Sequence, residues 1–376
     1  MTPRDLHLFG PGPKRILSLD GGGVRGVVAL AYLERLEALL ESQAGHPVRL
    51  CDAFDLIGGT STGAIIATAL ALGHSAAEIR DFYFNMGPRV FRKHWARLPV
   101  WQAKFDAKGL RRELVAVVGD RTLDSEDLQT GLGVMLKRVD KGGAWVLANN
   151  PRAKYWETPQ DRSFIGNRHY PLERIVRAST AAPSYFEPQE LEIVEGEKPA
   201  LFVDGGLTPH NDPALALFLV AVLPGHRIEW PLGADKLTIV SLGTGTYRPS
   251  FDREGLRNAN SAAIAFSSLI QQISEAQALI LTLMSWLGQG GAPWPINSEI
   301  GDLCDREPPF GGLFRFRRYD IRLEAEWLSK TLGVDAAERD IAAWRRFDNP
   351  DALHPVYALA QKAAALQMAE SPIPPP

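Results

Sequence analysis

The stretch DLIGGTSTGAIIATALALG, residues 55–73, holds a short apolar run, two glycines, a serine framed by Gly59 and Gly63, and an Ala-rich segment stopped by Gly73. An apolar run closed by glycine predicts a buried strand, and the Ala-rich segment predicts a helix. Between them, Gly59-Thr60-Ser61-Thr62-Gly63 matches G-x-S-x-G, in which the serine occupies a sharp strand-to-helix turn. Glycines two residues to either side remove the Cβ atoms that would crowd that turn. The helix beginning near Thr62 points free N–H groups and its positive dipole end at the same place. Taken alone, the five residues fit a nucleophile and a plain Gly/Ser turn about equally well.

The preceding segment repeats the pattern. KRILSLD, residues 14–20, reads as a buried strand broken by three glycines. After it, Val28, Leu30, Leu33, Leu36, Leu39 and Leu40 recur near helical spacing, and Gly45 with Pro47 ends the run. Strand, turn and helix occurring twice argue for an α/β fold with a parallel sheet covered by helices and function at the carboxyl ends of the strands. Residues 75–132 read as mostly helical; the aromatic and basic stretch 82–105 within them fits a cap or an ordinary helical connection. GAWVLANN (143–150), PALFVDGG (199–206) and LTIVSLGTGT (237–246) read as central strands. Beyond about Arg257 helices are expected, including an apolar one over 267–288 suited to core packing or to an acyl-binding surface. The closing SPIPPP is expected to fray.

Bulk properties narrow the function classes. In 376 residues, 41 basic and 44 acidic side chains give a formal charge of -3, too balanced for a nucleic-acid footprint or a polybasic membrane anchor. Two cysteines make neither a disulfide scaffold nor a metal-ligand pattern, which points to a reducing cytoplasm. No run approaches the roughly 20 apolar residues of a spanning helix, so any lipid contact is expected to be peripheral.

A serine hydroxyl becomes a nucleophile only with a base to take its proton and donors for the oxyanion it creates. Donors are available in Asp20-Gly21-Gly22-Gly23-Val24-Arg25-Gly26, a second strand-to-helix turn. Gly21, Gly23 and Gly26 also match the dinucleotide fingerprint G-x-G-x-x-G, which keeps a nucleotide-binding or signalling module as a competing reading. Against it, the next strand ends in GGTSTG rather than in an acidic residue, and no G-K-[ST] follows. For the base, none of the eight histidines stands in an obviously catalytic frame, although His210 and His226 could complete a triad. Asp204 follows the apolar run ALFV and precedes Gly205-Gly206, placing a carboxylate at a strand's end; alone it also fits a turn or capping aspartate.

LDGGGVRG, GTSTG and VDGG, in this order, resemble the patatin-like phospholipases, in particular bacterial ones. RASTAAPSYFEP (177–188), NDPA (211–214) and SLGTG (241–245) extend the resemblance over roughly residues 14–245. It implies a three-layer α/β/α sandwich around a mainly parallel sheet, with residues 14–250 as the catalytic domain, 251–370 as a helical region packed on it and 371–376 as a tail. It implies a lipid acyl hydrolase with Ser61 as nucleophile and Asp204 as base, without histidine, metal or cofactor. Gly21, Gly22, Gly23 and Arg25 correspond to the oxyanion motif, Gly59, Thr60, Thr62 and Gly63 to the nucleophile elbow, and Gly205 and Gly206 to the DGG motif. Two alternatives stay open: an esterase with a histidine triad, and an antiphage phospholipase effector switched on by a cyclic nucleotide.

Overall fold

The computed structural model describes residues 1–91, 105, 107–248, 257, 261–292 and 294–376; most of the aromatic and basic stretch 82–105 lies outside them. Nine strands among the described residues form one sheet: β1 (Lys14–Leu19), β2 (Leu56–Thr60), β3 (Gly131–Arg138), β4 (Gly143–Ala148), β5 (Gln189–Leu191), β6 (Ala200–Asp204), β7 (Leu237–Leu242), β8 (Gln289–Gly291) and β9 (Arg315–Tyr319). The run β3-β2-β1-β7-β9-β8 is parallel throughout. At one end β4 and β6 pair antiparallel with β3, and β5 antiparallel with β6.

Alternation along the strands builds the layers, because successive side chains point to opposite faces. Leu17, Leu19, Ile57, Val134, Leu136, Val240 and Leu242 join one apolar cluster, covered by helices Val27–Ala44, Thr62–Ala71, Ala76–Val90 and Leu353–Gln367. Ile16, Leu56, Met135, Leu237, Ile239 and Phe316 join the other, covered by helix Ala214–Val222 and by Ile280 and Met284 of helix Ser261–Leu287. The result is a mixed sheet, mainly parallel, between two helical layers.

Several expectations need correction. β3 lies at the sheet's heart, yet its first residues fell at the end of a span read as helical; GLGVMLKR opens on glycine and closes on two cations, which masks a strand that is buried because it is paired on both edges. GAWVLANN, read as central, is the antiparallel partner β4, whose side chains are mostly half-exposed. The region beyond residue 250 supplies the expected helices and also β8 and β9, which extend the same sheet. Residues 371–376 are irregular, but Ile373 packs into the main core and Ser371 Oγ donates to Ile373 O at 2.6 Å, so the tail is held rather than frayed.

The topology brings two distant strand ends together. β4 pairs with residues 133–138 of β3, so β2, which pairs with 131–135, and β6, which pairs with 136–138, must both lie along the opposite edge. They approach each other head-on: Thr60 ends β2 opposite Met135, and Asp204 ends β6 opposite Leu136. Each chain has to turn away at the junction, and Ser61 and Asp204 sit at the two turns.

Candidate active site

Ser61 is the turn residue between β2 and helix Thr62–Ala71, with φ 53° and ψ -121°, a left-handed conformation costly for a residue with a Cβ. Neighbours hold it there. Its N–H donates to Ser179 Oγ at 2.8 Å, and Ser179 Oγ donates to Met135 O at 2.7 Å, tying the turn to β3. Serine at a helix start usually caps the helix with its side chain. Here no such bond forms, and Ser61 Oγ donates instead to Asp204 Oδ2 at 2.7 Å. The close fit of strand and helix depends on Gly59 and Gly63: a Cβ on Gly59 would strike the Gly63 carbonyl, and one on Gly63 would strike the Leu19 and Asp20 carbonyl oxygens.

Asp204 is buried, and its second oxygen, Oδ1, accepts Gly206 N–H at 2.7 Å. Burial pushes its pKa from an ordinary 3.8 up to about 6, with the Ser61 and Gly206 hydrogen bonds and the nearby Arg177 charge opposing the rise. The carboxylate remains ionised at neutral pH and is a stronger base than a solvated one.

The glycine turn after β1 lies alongside. A Cβ on Gly21 would approach Ser61 Cβ to 3.3 Å. Gly21, the first glycine of the oxyanion motif, has its N–H bonded to Asn211 O at 3.1 Å. Gly22 and Gly23 line the cavity with Ser61 and Asp204, and their N–H groups have no hydrogen-bond partner among the described residues. Gly23 takes φ +59°, and a Cβ there would strike Phe347 O. Its carbonyl accepts Thr62 Oγ1 at 3.0 Å and also the Tyr83 hydroxyl, which fixes the turn to the elbow helix and to helix Ala76–Val90. Arg25 Nη1 donates to Gly245 O at 2.8 Å and its guanidinium lies over the Tyr247 ring, so it braces a loop.

The cavity measures about 480 Å³, a size typical of small-molecule sites. Its lining is mostly apolar and includes Tyr83, Met86 and Val90 of helix Ala76–Val90 and Ile270, Ile273 and Leu281 of helix Ser261–Leu287. Among the described residues no histidine lines it. His210 presents its backbone carbonyl to Thr60 Oγ1 at 2.5 Å, while burial lowers its imidazole pKa, with Asp212 opposing. His226 O accepts Asn150 Nδ2 at 2.5 Å, away from the site. Among the described residues no group of three or more His, Cys, Asp or Glu side chains is placed to hold a metal ion, and no helix is long and apolar enough to cross a membrane.

Sequence reading missed Ser179, Tyr83 and Asn211 as site residues. Asn211 and Ser179 fall inside NDPA and RASTAAPSYFEP, so their motifs were visible while their bonds were not.

A serine elbow whose hydroxyl meets a buried carboxylate, set in an apolar cavity, is suited to the hydrolysis of lipid esters. The family model for Patatin-like phospholipase matches residues 17–218, more than half of the chain, and the chain belongs to this family. Among curated relatives it is similar to Patatin-16 of Solanum tuberosum, at 29% identity over 296 residues covering 71% of this chain and 70% of the relative. It is also similar to a cGAMP-activated phospholipase of Escherichia coli (strain TW11681), at 27% identity over 235 residues covering 61% and 62%. Of solved structures, human GIVD cytosolic phospholipase A2 aligns with a TM-score of 0.49 and 12% identity over 95% of this chain and 59% of that one.

Proposed function

We propose that the chain hydrolyses fatty acyl esters of lipids through an acyl-enzyme on Ser61, with Asp204 as the only base. The hydrogen bond from Ser61 Oγ to Asp204 Oδ2 carries this reading. As Oγ attacks the ester carbonyl, its proton passes to Asp204, and the Gly22 and Gly23 amides, with the start of helix Thr62–Ala71, stabilise the oxyanion. Collapse of the tetrahedral intermediate expels the alcohol, which takes the proton from Asp204. Water then gives its proton to the same carboxylate as it attacks the acyl-enzyme; the second intermediate collapses, Ser61 Oγ leaves and takes that proton back from Asp204, and the fatty acid is released. The apolar walls suit an acyl chain, so the substrate is a lipid or phospholipid presented at a membrane surface and the contact with that surface is peripheral. The elbow residues Gly59, Thr60, Thr62 and Gly63 and the Gly205-Gly206 turn serve as positioning elements.

Labelling with a serine-directed fluorophosphonate tests the dyad. Ser61 is expected to be modified in the wild type and in His210→Ala and His226→Ala, and to react at least 100-fold more slowly in Asp204→Asn. Full-rate labelling of Asp204→Asn, or its loss in either histidine variant, would replace the dyad with another base.

The similarity to a cGAMP-activated phospholipase favours a second reading, in which a cyclic dinucleotide switches the same site on. Fatty acid release measured with and without cGAMP decides it: stimulation of tenfold or more supports a switch, and equal rates reject it.

A further inference from the structure

A charged row replaces an apolar one under the glycine turn. Register aligns Ile16, Ile239 and Phe316 across β1, β7 and β9, and two residues further on aligns Ser18, Ser241 and Arg318 on the same face. The first row is core. The second holds a guanidinium that is 3% exposed, which is costly unless fully paired.

Its partners are three buried carboxylates. Arg318 Nη1 and Nη2 grip Asp20 as a fork, at 2.9 Å to Oδ1 and 2.6 Å to Oδ2. Nη1 also reaches Asp212 Oδ2 at 3.2 Å and Ser241 Oγ at 2.8 Å, and Nη2 reaches Asp320 Oδ2 at 3.1 Å. Each carboxylate passes the constraint to one segment of the site. Asp20 immediately precedes Gly21-Gly22-Gly23. Asp212 follows Asn211, whose carbonyl holds Gly21 N–H. Asp320 Oδ1 accepts Gly245 N–H at 2.7 Å, in the loop where Thr244 Oγ1 donates to Gly21 O at 2.8 Å. Gln277 Nε2, from helix Ser261–Leu287, donates to Asp20 Oδ2 at 2.5 Å.

Stability does not explain this cluster. Burial pushes the Asp20 carboxyl well above its ordinary range; Arg318 opposes the rise and Asp212 and Asp320 reinforce it. Replacing a buried ionic cluster by apolar residues is often neutral or stabilising, and an apolar row already stands next to it. What an apolar row could not supply is the directional hold, through three carboxylates, on three segments of the site, for which a planar, multidentate guanidinium is suited.

We propose that Arg318 is a positioning residue for the oxyanion turn: through Asp20, Asp212 and Asp320 it aims the Gly22 and Gly23 amides at the carbonyl oxygen of a substrate on Ser61. The inference rests on the Ser61–Asp204 reading. It places a decisive part of the site in β9, beyond the stretch that carries the family motifs.

The test is kinetic. Wild type, Arg318→Lys, Arg318→Met and Gln277→Leu are assayed on a short acyl ester and on the matching thionoester, in which sulfur replaces the carbonyl oxygen and binds poorly in a hole shaped for oxygen. Thermal melts confirm folding. On the ester, kcat is expected to fall about 100-fold in Arg318→Met and about tenfold in Arg318→Lys, the size of losing or misaligning oxyanion donors. Gln277→Leu is expected to lose about threefold. KM should stay within twofold, the ester-to-thionoester rate ratio should fall with kcat, and the acid limb set by Asp204 should not move. A folded Arg318→Lys with wild-type kcat overturns the proposal, as does a lower kcat at an unchanged ratio. If Arg318→Met does not fold, Arg318→Lys and Gln277→Leu decide by the same criteria. Retained turnover in Ser61→Ala, or none in the wild type, would instead refute the underlying dyad.

Discussion

In the proposed mechanism Asp204 acts as a base at neutral pH from inside the protein, and its surroundings set both the rate and a cost. With the pKa raised to about 6, kcat/KM should rise tenfold per pH unit below 6 and level off above it. A limb near pH 4 would mean a solvated carboxylate, and one abolished in His210→Ala would mean an imidazole base. The same shift predicts stability. The folded state favours the protonated acid, so the contribution of this group is fully present below pH 3.8 and is lost as pH rises through about 6. Asp204→Asn should therefore melt higher than wild type at pH 7, by up to about 3 kcal/mol, with the gap closing towards pH 4. A variant equally stable at both pH values would show that burial does not disfavour the charge.

At this scale the sequence was informative where chemistry is local. Ser61, Asp204 and the glycines around them stand in short motifs whose spacing states their geometry. Two further positions of the oxyanion motif make contacts that the motif does not state: Gly21 N–H is bonded to Asn211 O, and Arg25 braces Gly245. Arg318 gave no signal and Ser179 only its place in RASTAAPSYFEP, because the bonds that matter reach Asp20 and Met135, far away in the chain.

At the scale of elements, the site is a collision of strands. β2 and β6 share one edge of β3 and end against each other, so Ser61 and Asp204, the proposed nucleophile and base, come from two turns forced at one junction. Apolar runs closed by glycines or turn residues made β1, β2, β6 and β7 legible. β3, the strand that aligns the two turns, was hidden by its glycines and cations, and β9 by RFRRY, whose buried arginine looks like a surface residue until its carboxylates are known. The elbow makes a sharp prediction. Alanine in place of a helical glycine normally gains about 1 kcal/mol. At Gly63 the new Cβ would meet the backbone of β1 and lift helix Thr62–Ala71 from the sheet, so Gly63→Ala should instead lose about 1–3 kcal/mol in thermal melts and label more slowly at Ser61. A more stable variant with normal labelling would show that the helix has room.

Across the whole molecule, the segment bearing the motifs does not contain all its supports. β9 pairs with β7 along five residues, and helix Leu353–Gln367 lies in the same apolar cluster as helix Val27–Ala44. A chain ended at residue 248 would expose that cluster and leave Asp20, Asp212 and the loop at Gly245 without Arg318. It is expected to be insoluble or molten by near-UV circular dichroism; a folded, active fragment of that length would show that the later region is dispensable.

The most direct measurement is free fatty acid released from phospholipid vesicles by wild type, Ser61→Ala and Asp204→Asn, each first shown to be folded by its melt. A Ser61–Asp204 dyad predicts release by the wild type and a loss of at least 1,000-fold in both variants. Release by either variant within tenfold of the wild type would contradict it.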